Sequence, residues 1–230
     1  LSARSLEQVK VDVACARTSV KVIGVSGGVS YGALGPTHHT LHDIAVMRAM
    51  PGLTVVLPSD ARQTARMTRA LAAFSGPAYV RMGRGAVPDI YAEGDCPFTL
   101  GKANELLAGG DVTIIACGEM VHPSLEAGRL LAGEGICARV LDMHTLKPLD
   151  TEAILRAAAE TGRIVTVEEH SVFGGLGAAV AETVGQHHPV PVAVLGLPDE
   201  PTVAGSSAEV FRHYGLTAPH IAQTARKLIS

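Results

Sequence analysis

The densest polar stretch of this 230-residue chain is Gly32-Ala-Leu-Gly-Pro-Thr-His38-His39-Thr-Leu-His42-Asp43. It follows a glycine-rich run, Gly24-Val-Ser-Gly-Gly-Val-Ser-Tyr-Gly32. Imidazoles on such a loop titrate near neutrality, so they can shuttle protons or hydrogen-bond a hydroxylated substrate. The residues also fit a plainer arrangement, with His42 and Asp43 on the outer face of a helix and the other polar groups closing the loop. A metal centre fits less well. His38, His39 and His42 do not share a face, and no carboxylate stands at ligand spacing. A second stretch, Arg81-Met-Gly-Arg84, offers guanidinium forks that suit phosphate, sulfonate or carboxylate; its alternative is a surface ion pair at a strand end. The third is Glu168-Glu169-His170-Ser-Val-Phe-Gly-Gly-Leu-Gly177. Its glycines suit a phosphate turn or close helix–sheet packing, and its Glu-Glu-His suits a catalytic pair or a buried network. Packing and interface is the better reading of both. His187 and His188, before Pro189, read as solvated. The sequence has no nucleophile elbow, Walker loop or Cys–His nucleophile pattern.

These residues need a scaffold, and the hydrophobic pattern supplies one. Apolar, β-branched runs at 20–25, 53–57, 78–82, 112–117, 138–142, 163–168 and 191–195 alternate with stretches of helical period, among them 41–48, 59–71, 121–132, 151–160 and 176–185. Nearly all-apolar strands joined by helices predict parallel sheets covered on both faces, an α/β fold. Ser59-Asp60 and Asp150-Thr151-Glu152 carry the acceptor side chains of helix starts. In open parallel sheets the loops at the carboxyl ends of the strands line the ligand crevice, so the His38 and Arg84 stretches share one rim. Proline and glycine between 84 and 102 mark a linker, taken as 88–101, between a first unit at 1–87 and a second at 102–230. The first unit has three strands and a thin core, which predicts completion by further chain. The second has about four strands and four or five helices.

Composition narrows the function. Hydrophobic residues make up 47% and charged residues 18%, with a net charge of −3. That excludes a disordered chain and gives no electrostatic reason for nucleic acid or an anionic membrane as partner. No apolar run reaches the ~18 residues of a membrane span. Cys15, Cys96, Cys117 and Cys137 are widely spaced, without a CxxC, and read as buried reduced thiols of a cytoplasmic protein. The chain begins at Leu1 rather than methionine, which reads as a sign that something precedes it.

The order of motifs resembles the carboxyl-terminal portion of transketolase and its relative 1-deoxyxylulose-5-phosphate synthase. The resemblance is carried by Gly35-Pro-Thr-His38, Leu53-Thr-Val-Val-Leu-Pro-Ser-Asp60, Gly76-Pro-Ala-Tyr-Val-Arg-Met-Gly-Arg84, Asp111-Val-Thr-Ile-Ile-Ala-Cys-Gly118, Leu146-Lys-Pro-Leu-Asp150, Val167-Glu-Glu-His-Ser-Val-Phe-Gly-Gly-Leu-Gly177 and Tyr214-Gly-Leu-Thr217. It implies a truncated parallel-sheet pyrimidine-binding domain over 1–87, then a three-layer α/β/α transketolase C-terminal domain over 102–230. The implied activity is transfer of a two-carbon ketol unit between sugars through thiamine diphosphate.

The resemblance also implies site residues. His38 matches a histidine that contacts the sugar near the reacting carbon. Arg84 matches an arginine that holds the substrate's terminal phosphate, with Arg81 a secondary candidate. Ser26 stands where a substrate-contacting histidine is common, and Ala33-Leu34 where Glu-Asp is common. That less polar wall suggests a branched, deoxy or sulfonated sugar. The family's diphosphate and Mg2+ site and its catalytic glutamate belong to segments ahead of Leu1. This chain alone is therefore expected to bind no cofactor productively, and to act as a homodimer or as a heteromer with a pyrophosphate-domain subunit. The alternatives are the β subunit of a thiamine-dependent 2-oxo acid dehydrogenase and a non-catalytic assembly module.

Overall fold

The computed structural model describes residues 3–230. A short helix α1 (Leu6–Gln8) runs on as a π-helical segment, Val9–Cys15, into strand β1 (Lys21–Val25). Then come α2 (Asp43–Ala49), β2 (Thr54–Val56), α3 (Ala61–Ala73) and β3 (Ala78–Met82). After the linker follow β4 (Asn104–Leu107), β5 (Val112–Ala116), α4 (Val121–Ala132), β6 (Ala138–Asp142) and β7 (Thr145–Lys147). The chain ends with α5 (Thr151–Thr161), β8 (Ile164–Ser171), α6 (Leu176–His187), β9 (Val192–Leu197), α7 (Ser207–His213) and α8 (Ala218–Ile229). Asp60 and Asp150 cap α3 and α5, accepting from the backbone N–H groups of Gln63 and Ala153.

Two sheets result, both mostly parallel. The first has the order β1-β3-β2-β7, and the second β4-β6-β5-β8-β9. The antiparallel members are the edge strands β7 and β4. Both are short, at three and four residues, and lack a β-branched run, so the sequence pattern does not reveal them. β7 comes from the second unit yet pairs with β2 of the first. Helix α7 also goes beyond the helical periods read above, although its signal is in the sequence: Ser206 and Glu209 form a reciprocal capping box.

The thin first core is thickened by its neighbour. Ile44, Met47, Leu53, Val55 and Tyr79 share one buried cluster with Leu141, Met143, Leu146, Ile154, Leu176 and Val180. On the opposite face, Val56, Ala78 and Val80 pack against Met67 and Leu71 of α3. β1 is the outer strand, and α3 does not reach it: Ile23 and Val25 are 48% and 61% exposed. Cys96 and Cys117 are buried, but Cys15 and Cys137 are exposed, which corrects the expectation of four buried thiols; all four are free.

The linker is pinned rather than loose. Asp60 Oδ2 accepts the backbone N–H groups of Ile90 and Tyr91. The Tyr91 hydroxyl, the Ser59 hydroxyl and the Gln63 amide all donate to Asp142 Oδ2, at 2.6, 3.0 and 2.6 Å. Asn104 donates in turn to the Tyr91 oxygen. One buried carboxylate oxygen at the end of β6 thus ties the start of α3, the linker and the second sheet together. Burial pushes Asp142 up to about 6, against the three donors. Asp142→Ala leaves the Tyr91 hydroxyl without an acceptor and takes one from Ser59 and one from Gln63, and is expected to lower unfolding free energy by about 2–4 kcal/mol. Asp142→Asn, which keeps one accepting oxygen, should cost less. Denaturant titration of the three proteins checks both the loss and the order.

Candidate functional site

The rim forms where β1 and β3 end side by side. β1 stops at Ser26, whose φ of +65° is a left-handed conformation that a non-glycine residue adopts at a cost. Gly27 then donates to the Met82 carbonyl, which holds the turn against the end of β3. The next glycine permits a close approach: a Cβ on Gly28 would stand 2.1 Å from the Glu169 carboxyl carbon and 2.3 Å from an Arg81 nitrogen. Gly28 and Thr40 exchange backbone hydrogen bonds at 3.1 and 2.8 Å and close the loop between them.

That loop presents one set of side chains and hides another. His38 is exposed, with Nδ1 3.0 Å from the Thr37 hydroxyl. Arg84 is also exposed, and its guanidinium carbon lies 4.5 Å from the centroid of the Tyr31 ring. The His38 ring is 6.4 Å from the same centroid. Ala33 is exposed beside them, and Leu34 is 53% exposed. A cleft of about 510 Å³ opens at Ser30 and Gly85, the chain neighbours of Tyr31 and Arg84, and runs between α4 and α7. His39 turns inward and meets the Thr202 hydroxyl at 2.5 Å; burial lowers its pKa.

The sequence points Arg81 at this rim and, in its plainer arrangement, puts Asp43 on the outer face of a helix; the packing buries both side chains. Arg81 is 5% exposed and Asp43 fully buried. Arg81 Nε lies 3.6 Å from Asp43 Oδ2, which also accepts the Tyr79 hydroxyl at 2.7 Å. Arg81 Nη2 donates to the Glu169 carbonyl oxygen at 2.6 Å and lies 3.5 Å from its carboxylate. Glu169 Oε1 accepts the Val29 backbone N–H from the loop. Burial alone would lower the Arg81 pKa; the charges of Asp43 and Glu169 outweigh it and raise it. The third stretch is likewise internal. Glu168 accepts the backbone N–H groups of Leu176 and Gly177, so a carboxylate of the chain fills the α6 N-terminus where a phosphate turn would open. The His170 ring pairs with the Ser171 carbonyl through Nδ1 and with Ala45 N–H through Nε2.

Among the described residues, no group of three His, Cys, Asp or Glu side chains converges to hold a metal ion. The exposed surface can orient a hydroxylated or carbonyl compound at His38 and hold an anion at Arg84. The residue sequence reasoning passes over is Tyr31, whose signal is being the lone aromatic of the loop.

Comparison with known proteins adds the family. Residues 2–89 match the description "Transketolase, pyrimidine binding domain", and residues 101–221 match "Transketolase, C-terminal domain". An apulose-4-phosphate transketolase subunit of Phocaeicola vulgatus is 59% identical over 227 residues, covering 99% of this chain and 72% of that protein. The 6-deoxy-6-sulfo-D-fructose transketolase subunit SqwH of a Clostridium species is 43% identical over 227 residues, covering 99% and 70%. A solved structure described as a split gene transketolase, inactive beta4 tetramer, aligns with a TM-score of 0.90 at 38% identity, over 99% of this chain and 73% of that one.

The buried carboxyls under the loop give the protein a pH signature. Burial pushes Glu169 up to about 8, against Arg81, and Glu168 up to about 7, against its two backbone donors. An unfolded glutamate titrates near about 4.3. Above that pH the folded chain still holds protons that the unfolded chain has lost, so stability falls as pH rises through the window. His144 and His170 act oppositely, because burial lowers both to about 4. Their contribution grows with pH and ends near about pH 6.5, the unfolded histidine value. Between about pH 6.5 and 8 the carboxyl effect dominates, and unfolding free energy is expected to drop by about 1–2 kcal/mol. Glu169→Gln should flatten that drop. Chemical denaturation across the interval measures it, and stability that rises from pH 6.5 to 8 contradicts the assignment.

Proposed function

The chain belongs to the transketolase family, and on that premise we propose that it works as one part of a divided enzyme moving a two-carbon ketol unit between sugars. It is homologous to split-gene transketolase β subunits, which disfavours both the 2-oxo acid dehydrogenase reading and a purely non-catalytic module. The family is thiamine diphosphate dependent. The observation that supports the proposed role is the single exposed surface bearing His38, Tyr31 and Arg84. On it, His38 hydrogen-bonds and polarises the donor near its carbonyl, and Arg84 anchors an anionic tail through a charge-assisted fork. Ser26, at the end of β1, is proposed as a minor substrate contact. Arg81 is proposed to hold the loop from inside.

We infer that a metal-bound diphosphate is held outside the described residues, among which no three metal-ligating side chains converge. Glu169 is paired with Arg81 and the Val29 N–H, Asp43 Oδ2 with Arg81 and the Tyr79 hydroxyl, and the α6 N-terminus is taken by Glu168. We therefore place the diphosphate and Mg2+ on a partner subunit, in a dimer or heteromer, with 1–87 and 102–230 as the two units of this chain. The substrate is proposed to be a phosphorylated ketose, with apulose 4-phosphate the first to try, given the apolar Ala33-Leu34 wall and the name of the 59% identical relative. The setting proposed is cytoplasmic carbohydrate metabolism; no helix among the described residues is long and apolar enough to cross a membrane.

The test reconstitutes the complete subunit, including the catalytic-glutamate segment that the resemblance puts ahead of residue 1, with the subunit carrying the diphosphate domain, thiamine diphosphate and Mg2+. Ketol transfer is expected from the mixture and from neither chain alone. His38→Ala should lower kcat by about 10²-fold or more, and Arg84→Ala should raise KM for the phosphorylated donor. Unchanged kinetics in His38→Ala would remove its role, and a clear preference for xylulose 5-phosphate would remove the substrate assignment.

A further inference from the structure

The exposed rim holds a cation whose direction the backbone does not fix. Arg84 lies in the irregular segment after β3, between two glycines, Gly83 and Gly85. Among the described residues its guanidinium has no ion pair or hydrogen bond. The contact that orients it is the face of the Tyr31 ring, at 4.5 Å. A guanidinium is weakly hydrated, planar and delocalised, so it settles on an aromatic face with its N–H edges left free. Those edges are what a two-point grip on an anion requires.

Tyr31 is itself well placed to act as a platform. The next residue begins a single 3-10 turn, Gly32–Leu34. Gly32 is held by the loop before α7: its carbonyl accepts the Gly205 N–H at 3.0 Å, and a Cβ on it would stand 2.2 Å from the Gly205 oxygen. On the other side of Tyr31, the Val29 N–H is fixed by Glu169, and the Val29 carbonyl accepts the Ser207 hydroxyl at 3.1 Å. The segment carrying the ring is thus anchored to the second unit at both ends. The His38 ring stands 6.4 Å from the same centroid, tilted by 48°. The cation and the imidazole thus both neighbour the one ring.

We propose that Tyr31 is a positioning residue that sets the direction of the Arg84 guanidinium relative to His38, and with it the selectivity for donors with an anionic tail. This rests on the reading of Arg84 as the anion anchor. The role needs the face of the ring and not the hydroxyl, since no hydrogen bond of the Tyr31 oxygen is present among the described residues. Tyr31→Phe should therefore behave like the parent, whereas Tyr31→Ala and Tyr31→Val should not.

The experiment uses the reconstituted enzyme with two donors that differ by the phosphate group, xylulose 5-phosphate and xylulose. In Tyr31→Ala, KM for the phosphorylated donor should rise by about three- to tenfold, with kcat little changed and the kinetics with xylulose unmoved. Tyr31→Phe should restore the parental KM. Tyr31→Ala placed in an Arg84→Ala background should add nothing further, because the two act through one contact. Three outcomes overturn the inference. If Arg84→Ala raises KM for the phosphorylated donor and Tyr31→Ala does not, Arg84 remains the anchor and the platform role is wrong. If neither variant alters the preference for the phosphorylated donor, the anchor reading fails and this inference fails with it. If Tyr31→Ala lowers kcat equally with both donors, the ring is a structural part of the loop and does not orient the cation.

Discussion

Everything exposed at the rim depends on one buried cation. A guanidinium removed from water is costly unless charges and acceptors replace its hydration. Arg81 finds them in two elements far apart in sequence, Asp43 at the start of α2 and Glu169 on β8. The arrangement serves geometry more than stability. Removing one partner would strand a charge, whereas the intact set largely repays its own desolvation. Its effect is to fix β3, α2 and β8 relative to one another at the point where the loop must start. Gly27 and Gly28 lie directly on the Arg81 side chain, where a methyl group would collide with it. The loop that carries Tyr31 and His38 is therefore shaped against an arginine which itself never reaches the surface.

The position of that cation explains why the crevice at the carboxyl ends of β5 and β8 is closed. β5 sends Val112, Ile114 and Ala116 into one apolar cluster, and Ile115 and Cys117 into the other. The helix that follows β5 packs on the first cluster, and the helix that follows β8 on the second. Adjacent parallel strands whose connections leave to opposite faces open a crevice at their carboxyl ends, where many α/β proteins bind ligands. Here the crevice between β5 and β8 is already filled. Arg81 enters it from the first sheet, Val29 donates to Glu169, and Glu168 turns back to cap α6. The second unit accepts a loop where another protein would accept a cofactor, so its sheet acts as the mould for the rim. Asp142 repeats the device at the end of β6, taking donors from α3 and the linker.

Much of this is legible in the residues, and the limits have physical causes. The seven apolar strands are visible because parallel strands buried on both faces need unbroken β-branched runs, and the two helix caps at Asp60 and Asp150 because an acceptor before an apolar period has one main use. β4 and β7 are invisible because an edge strand of three or four residues is made by its neighbour's open edge and not by its own pattern. Among the polar residues, type and spacing identify the stretches but not which way each side chain turns. His38 and His39 are adjacent, yet one is exposed and the other is paired with Thr202 across 163 positions. Arg81 and Arg84 are three apart, yet strand alternation sends Arg81 inward with Tyr79, while Arg84, past the end of β3, is free of that alternation. The partners that decide these orientations, Asp43, Glu169 and Thr202, come from elements that no local pattern links to the loop.

The same contrast explains how one scaffold can keep its geometry while its polar wall changes. The residues that set the loop's path are buried and mutually dependent: Arg81 needs its acids, Glu169 needs the Val29 N–H of the loop, and the glycines need the room. The residues at the surface, Tyr31, Ala33, Leu34 and His38, belong to none of the buried clusters. An apolar pair at Ala33-Leu34 leaves the fold beneath it undisturbed, because neither side chain packs into the buried network. Exchanging surface residues of this kind costs little, within about 0.5 kcal/mol. The residues of the rim can therefore change without loss of the geometry that places His38 and Arg84, provided the Arg81 network below stays intact.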